Sequence, residues 1–140
     1  MASGPWVFYN NAKEELLRGD LDLDGGTIEF VPVAATYTPA LSHASADVLT
    51  GREILDGTDS IRATLENSTV TGANNAGAWR VTWTGDDVVI TSTTPVDVKY
   101  VVMLSGTTPI AYFETDVDLP DGVRITQLTI TFPNGILRAQ

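Results

Sequence analysis

The spacing of apolar and polar positions changes character along the chain. Trp6 and Phe8 come first, and a short segment then places Leu16 and Leu17 after Lys13, Glu14 and Glu15. Asn10 or Asn11 can cap a helix there, because a short polar side chain accepts a bond from an unpaired helical N–H. Arg18 falls late and Gly19 follows as a stop signal. The pattern predicts one short helix, with the leucines packing back toward the aromatics. After Gly25-Gly26 the period becomes that of strands. Thr27–Ala34 is apolar and β-branched, and Pro32 restricts it to an edge or a bulge. Tyr37–Gly57 reads as a long irregular connection with one helical turn over Ser45–Leu49.

From Glu66 onward alternation dominates. Trp79, Val81 and Trp83 alternate with Arg80, Thr82 and Thr84, which puts both indoles on one face of one strand. Val88–Thr93 follows a Gly85-Asp86 turn. Val96–Leu104 is apolar on both sides, the mark of a central strand, and Ser105–Thr108 is a hairpin loop into Ile110–Thr115. Val123–Phe132 slips phase near Gln127, which predicts a bulge. Pro133-Asn134-Gly135 turns the chain into Ile136–Arg138. The expected fold is mainly β: an antiparallel β-sandwich or barrel of about seven strands, a meander in its simplest form, with one short N-terminal helix. A single domain over 1–140 is expected. Residues 1–26 form the aromatic segment, helix and acidic link, and 27–140 the β domain with its loop at 37–57.

Composition narrows the chemistry. The 140 residues suit one domain, and 43% hydrophobic against 19% charged residues suit a globular one. Eighteen acids against eight bases give −10, which argues against direct nucleic-acid binding, since phosphate contacts need Lys and Arg. With no cysteine and only His43, thiolate chemistry and multi-histidine metal sites are excluded. Val96–Leu104 is interrupted by Asp97 and Lys99 and is too short for a membrane helix, so no membrane partner is expected. Met1–Pro5 does not read as a secretory signal.

Two blocks of motifs carry a resemblance. The first runs Trp6-Val7-Phe8-Tyr9-Asn10, Lys13-Glu14, Gly19, Asp22-Leu23-Asp24, Thr27-Ile28, Tyr37-Thr38-Pro39. The second runs Val98–Val102, Pro109–Phe113 and Phe132–Leu137. In this order they resemble a family of small virion structural proteins of tailed bacteriophages, whose members begin with an aromatic-aromatic-Asn segment and a short Lys/Glu helix. The likeness covers both ends and is weak between about Leu41 and Gly77. It implies a virion location after assembly in the bacterial cytoplasm. It also implies partners among other virion proteins, the major capsid protein first, and a homo-oligomer on the particle. Capsid decoration is the first expectation, and a head-fibre, neck or tail component the alternative. The expected partner contacts are Trp6, Phe8, Tyr9, Tyr37 and Pro39, whose competing role is as the chain's own core.

Other constellations are weaker. Asp20, Asp22, Asp24 and Gly25 open like a calcium loop, but its twelfth position is Val31, so no metal and no cofactor is expected. The simpler reading has Leu21 and Leu23 inward and the aspartates in water. Ser42, His43 and Asp47 carry triad chemistry without a nucleophile elbow, so no catalytic residue is assigned. Glu114, Asp116 and Asp118 read as an acidic, solvated rim. Trp79 and Trp83, if both exposed, would make a sugar-stacking platform on a carbohydrate-binding β-sandwich, the alternative of another class.

Overall fold

The computed structural model describes residues 4–75, 77–132 and 135–139. In chain order the elements are β1 (Val7–Phe8), α1 (Asn10–Arg18), β2 (Ile28–Val33), β3 (Leu55–Asp56), β4 (Asp59–Ser60), β5 (Ala63–Thr64) and β6 (Thr69–Asn75). There follow β7 (Ala78–Thr84), β8 (Val88–Val98), β9 (Tyr100–Ser105), β10 (Thr108–Glu114), β11 (Val123–Ile130) and β12 (Leu137–Ala139). The fold is mainly β with one short N-terminal helix.

The described strands form four hydrogen-bonded sheets, not one closed barrel or seven-stranded sandwich. They are a five-stranded sheet β1-β10-β9-β2-β5, a three-stranded sheet β12-β7-β6, and the pairs β11-β8 and β3-β4. Nor is the topology a simple meander. Among the described strands only β3–β4, β6–β7 and β9–β10 are neighbours both in chain and in space; β2 pairs with β9 and β8 with β11 across long separations. The run read as one strand from Val96 to Leu104 is divided at Lys99, where β8 leaves one sheet and β9 enters another. The slip expected near Gln127 is present as a register shift between Ile125 and Gln127.

Pro32 is not on an edge strand, since β2 lies between β9 and β5. The two-residue β5 pairs only Glu29 and Phe30, and beside Pro32 the outer side of β2 carries just an isolated bridge from Val33 to Glu53. A missing N–H costs nothing there, and the Pro32 carbonyl accepts from Ile54 N–H at 2.9 Å. The helix also differs from expectation. Tyr9, not an asparagine, stands at its N-terminal boundary without a side-chain cap, and Asn11 donates to Glu15 instead. Its C-terminus closes as expected, with Gly19 at φ 80°. Leu17 is 90% exposed, and Ala12 is the buried residue of the helix.

The core runs from Tyr9 and Phe30 through Val101–Leu104 to Trp83, Ile90 and Ile136. Trp6 packs on Phe113 at 4.7 Å and Phe30 at 5.8 Å between ring centroids, so the N-terminal segment closes one side of this core. The expected Ser45–Leu49 turn is present over Ala46–Leu49, capped by the Ser45 hydroxyl. Of the closing turn, Pro133 and Asn134 lie outside the described residues.

Candidate functional site

The surface best suited to a partner is one face of the three-stranded sheet. Register sets it: Val70 is opposite Trp83, Gly72 opposite Val81, Asn74 opposite Trp79, and Leu137 opposite Trp83. Directly paired residues point the same way, so these side chains share a face. At one end it is covered. Trp83 is 2% exposed and its indole Nε1–H donates to Ser68 Oγ at 3.0 Å. Leu21 and Leu23 close over that end, while Asp22 and Asp24 stay in water, as the alternation of the link predicts. At the other end the face is open, and Trp79 is 64% exposed. Its ring lies over Gly72, where a Cβ would fall 2.6 Å from Trp79 Cζ2.

Between the ends lies a groove of about 470 Å³ lined by Leu16, Leu21, Leu23, Val70, Val81 and Trp83, with Asp22 and Asp24 on its rim. A smaller cavity of about 140 Å³ adjoins it beneath Leu16, toward Phe8 and Ile110. The arrangement can bury an apolar group beside carboxylates.

The expected sugar platform is not formed. One indole is buried and the other exposed, because the α1 end and the acidic link cover only the Trp83 half of the strand. The expected partner contacts are also redistributed. Tyr9 and Tyr37 are core residues at 0% and 2% exposure, Trp6 and Phe8 are half-buried within the body, and Pro39 is half-buried beside Tyr37 in sequence. Tyr9 and Tyr37 serve the chain's own core, and Trp6 and Phe8 pack against it.

Tyr9 and Tyr37 belong to a cluster holding all four tyrosines and the histidine. Tyr9 Oη and Tyr37 Oη are 2.8 Å apart, and Tyr37 Oη is 2.8 Å from His43 Nδ1. Tyr112 packs on Tyr9, and Tyr100 packs edge-on against both Tyr37 and Tyr112. Burial holds the Tyr9 hydroxyl well above the usual tyrosine range, reinforced by its bond to Tyr37. Burial also raises Tyr37, against the opposing effect of the same bond. His43 is thus a bonded member of a structural cluster, not a loose loop residue. No bond joins it to Ser42 or Asp47 among those seen.

The acidic turn differs from a solvated rim. Lys99 is buried, and its Nζ donates to the carbonyls of Asp116 at 2.9 Å and Leu119 at 2.6 Å and pairs with Glu114 at 2.5 Å. Asp116 is itself buried and accepts from Asp118 N–H. A charge at the middle of the apolar Val96–Leu104 run was the signal for this clamp. The Asp56 carboxylate fastens β3 to β8 through Thr93 N–H, Thr93 Oγ1 and Thr94 Oγ1, and the Thr93 bonds hold its pKa below the usual aspartate range.

Asp20, Asp22 and Asp24 do not converge. Asp22 Oδ1 accepts from Asp24 N–H, and Asp24 Oδ1 from Val70 N–H. Among the described residues no group of three or more potential ligands could hold a metal ion. No described helix is long and apolar enough to cross a membrane. Comparison with family models, with curated proteins and with solved structures gives no match.

Proposed function

We propose that this chain is a structural component of a tailed-phage virion that acts by binding other virion proteins, with decoration of the assembled head as its place. The order of aromatic, turn and strand motifs at both ends supports the virion reading. The observation that carries the binding reading is the open apolar face: Val70 and Leu16, 38% and 36% exposed, line its groove, and Trp79, 64% exposed, stands beyond the groove on the same strand face. Apolar exposure grouped in this way marks an interaction surface. Binding only the assembled shell would stabilise it by mass action, and the shell's symmetry would array the copies. At −10 each copy repels its neighbours, so the major capsid protein supplies the contact.

The test is sedimentation of shells with added protein at low and high salt. Saturable co-sedimentation that survives moderate salt is expected, because screening weakens ion pairs but not apolar burial. Variants Trp79→Ala and Leu16→Ser should weaken it while keeping the fold. Absence from shells with presence in purified tails would move the chain to the alternative, a head-fibre, neck or tail component. The carbohydrate-binding alternative retains only the single exposed indole of Trp79.

A further inference from the structure

The open strand edge beside this face carries a more specific inference. In the sheet β12-β7-β6, β6 is an outer strand. Two bonds fix which of its backbone groups point outward. Trp83 O accepts from Ile136 N–H, so Trp83 turns its main-chain groups toward β12 and away from β6. Its partner Val70 therefore turns outward as well, and Val70 N–H meets Asp24 Oδ1 at 3.0 Å. One pair earlier, Ser68 O accepts from Gly25 N–H at 2.9 Å. By the alternation of an antiparallel ladder, Gly72 and Asn74 direct their N–H and C=O groups the same way. The acidic link thus occupies the first part of the β6 edge and then departs, leaving the second part open.

That open part lacks the usual protection. Strand edges are commonly blunted by Lys, Pro, bulges or short length. Thr69–Asn75 is seven residues long, without a charge or a proline, and pairs with β7 in unbroken register. Beside it the exposed Trp79 ring over Gly72 forms an apolar wall.

We infer that the β6 edge from Val70 O to Asn74 accepts an extended segment of a partner protein by strand addition, with Lys or Arg at the end that meets Asp22 and Asp24. Main-chain bonds to Gly72 and Asn74 and an apolar side chain against Trp79 hold the segment. The positive end complements the exposed carboxylates of the link, and charge sets partner choice more than affinity. The same acidity disfavours a second copy, which would bring another −10 chain to the edge. The inference concerns the mode of binding and does not depend on which particle the chain belongs to.

The probe is a synthetic peptide of alternating Thr and Val flanked by Lys, with a Glu-flanked counterpart, added to the full chain. Amide hydrogen exchange and backbone NMR shifts should show protection at Gly72 and Asn74, with the Glu-flanked peptide weaker and the gap narrowing in salt. Asn74→Pro removes an outward N–H and leaves the β6–β7 ladder bonds in place, so it should weaken binding by about tenfold or more. If Asn74→Pro alters the circular dichroism spectrum, Asn74→Lys replaces it, placing a repelling charge on the same edge. Failure of the Lys-flanked peptide to bind, protection elsewhere, or equal binding of the Glu-flanked peptide would each overturn the inference. So would concentration-dependent protection of these amides without peptide, which would assign the edge to a second copy.

Discussion

The hydroxyl of Tyr9 lies 2.8 Å from the hydroxyl of Tyr37, across a sequence separation of 28 residues. The bond ties the start of α1 to the long connection after β2, and His43 Nδ1 extends it toward the surface. Both rings are buried, and the Tyr9 hydroxyl depends on Tyr37 for satisfaction, whereas Tyr37 also bonds His43. Tyr37→Phe would leave the Tyr9 hydroxyl with no partner among those seen. It should destabilise the chain by about 1–3 kcal/mol in chemical denaturation. The double variant Tyr9→Phe/Tyr37→Phe should lose less than the sum of the two single changes, since it removes both polar atoms together.

The same pair sets an alkaline limit. The folded-state pKa of each is raised above its unfolded value by burial. The protonated forms are therefore favoured by folding, and their contribution is fully present below about pH 10, the unfolded tyrosine value. Above that pH the unfolded chain releases protons that the folded chain retains, so stability falls as pH rises. Phenolate absorbance from Tyr9 and Tyr37 should therefore appear only with unfolding. Full phenolate formation in a chain whose circular dichroism is unchanged would contradict this.

The two indoles of β7 should behave as opposites. Trp83→Ala removes a buried ring and the partner of Ser68 Oγ, and should cost about 3–5 kcal/mol. Trp79→Ala removes an exposed ring and should cost no more than about 1 kcal/mol. With Trp6 and Trp83 replaced by Phe, the remaining fluorescence should be quenched freely by iodide. With Trp6 and Trp79 replaced, it should be protected.

These residues also show how far the sequence could be read. Strand alternation placed Trp79 and Trp83 on one face, and the register agrees. It could not place the cover, because α1 and the acidic link reach Trp83 through tertiary packing that no local period encodes. The inward Leu21 and Leu23, the Gly19 stop and the slip at Gln127 were legible for the opposite reason: each is set by neighbours in the chain. The tyrosine cluster was not, since its members come from four separate segments. Lys99 was half legible. Its charge interrupted an apolar run, but the carbonyls that satisfy it lie 17 and 20 residues away.

Two glycines should rank clearly by what surrounds them. At Gly135, φ is 80° and a Cβ would meet Thr82 Cγ2 at 2.5 Å and Trp83 O at 3.0 Å. At Gly122, φ is 81° and a Cβ would meet Val98 O at 2.0 Å and Lys99 Cα at 2.4 Å. A side-chain methyl can shift, whereas backbone at the β8–β9 junction cannot do so cheaply. Gly135→Ala should therefore destabilise by about 1–2 kcal/mol, the order of a strained left-handed residue. Gly122→Ala should cost more and expose the Asp116–Asp121 turn to hydrogen exchange. Equal midpoints for the two variants would contradict the ranking.

Removal of residues 1–9 tests whether the aromatic N-terminus is an arm or part of the body. As an arm reaching toward a partner, its loss would abolish binding and spare the fold. The contacts predict the other result. Val7 and Phe8 pair with Tyr112 and Ala111 as the outer strand of the five-stranded sheet. Trp6 packs between Phe113, Phe30 and Phe132. Tyr9 is fully buried and bonded to Tyr37. Truncating one large buried aromatic typically costs about 3–5 kcal/mol, against a total stability of about 5–15 kcal/mol for a domain. Losing Trp6, Phe8 and Tyr9 together should leave a chain without cooperative thermal unfolding. The native β signature in circular dichroism should be lost, whether or not shells are present. Trp79→Ala combined with Leu16→Ser should give the reverse, a cooperative transition with weakened co-sedimentation. A folded truncation that no longer binds shells would return the contact surface to the N-terminal segment.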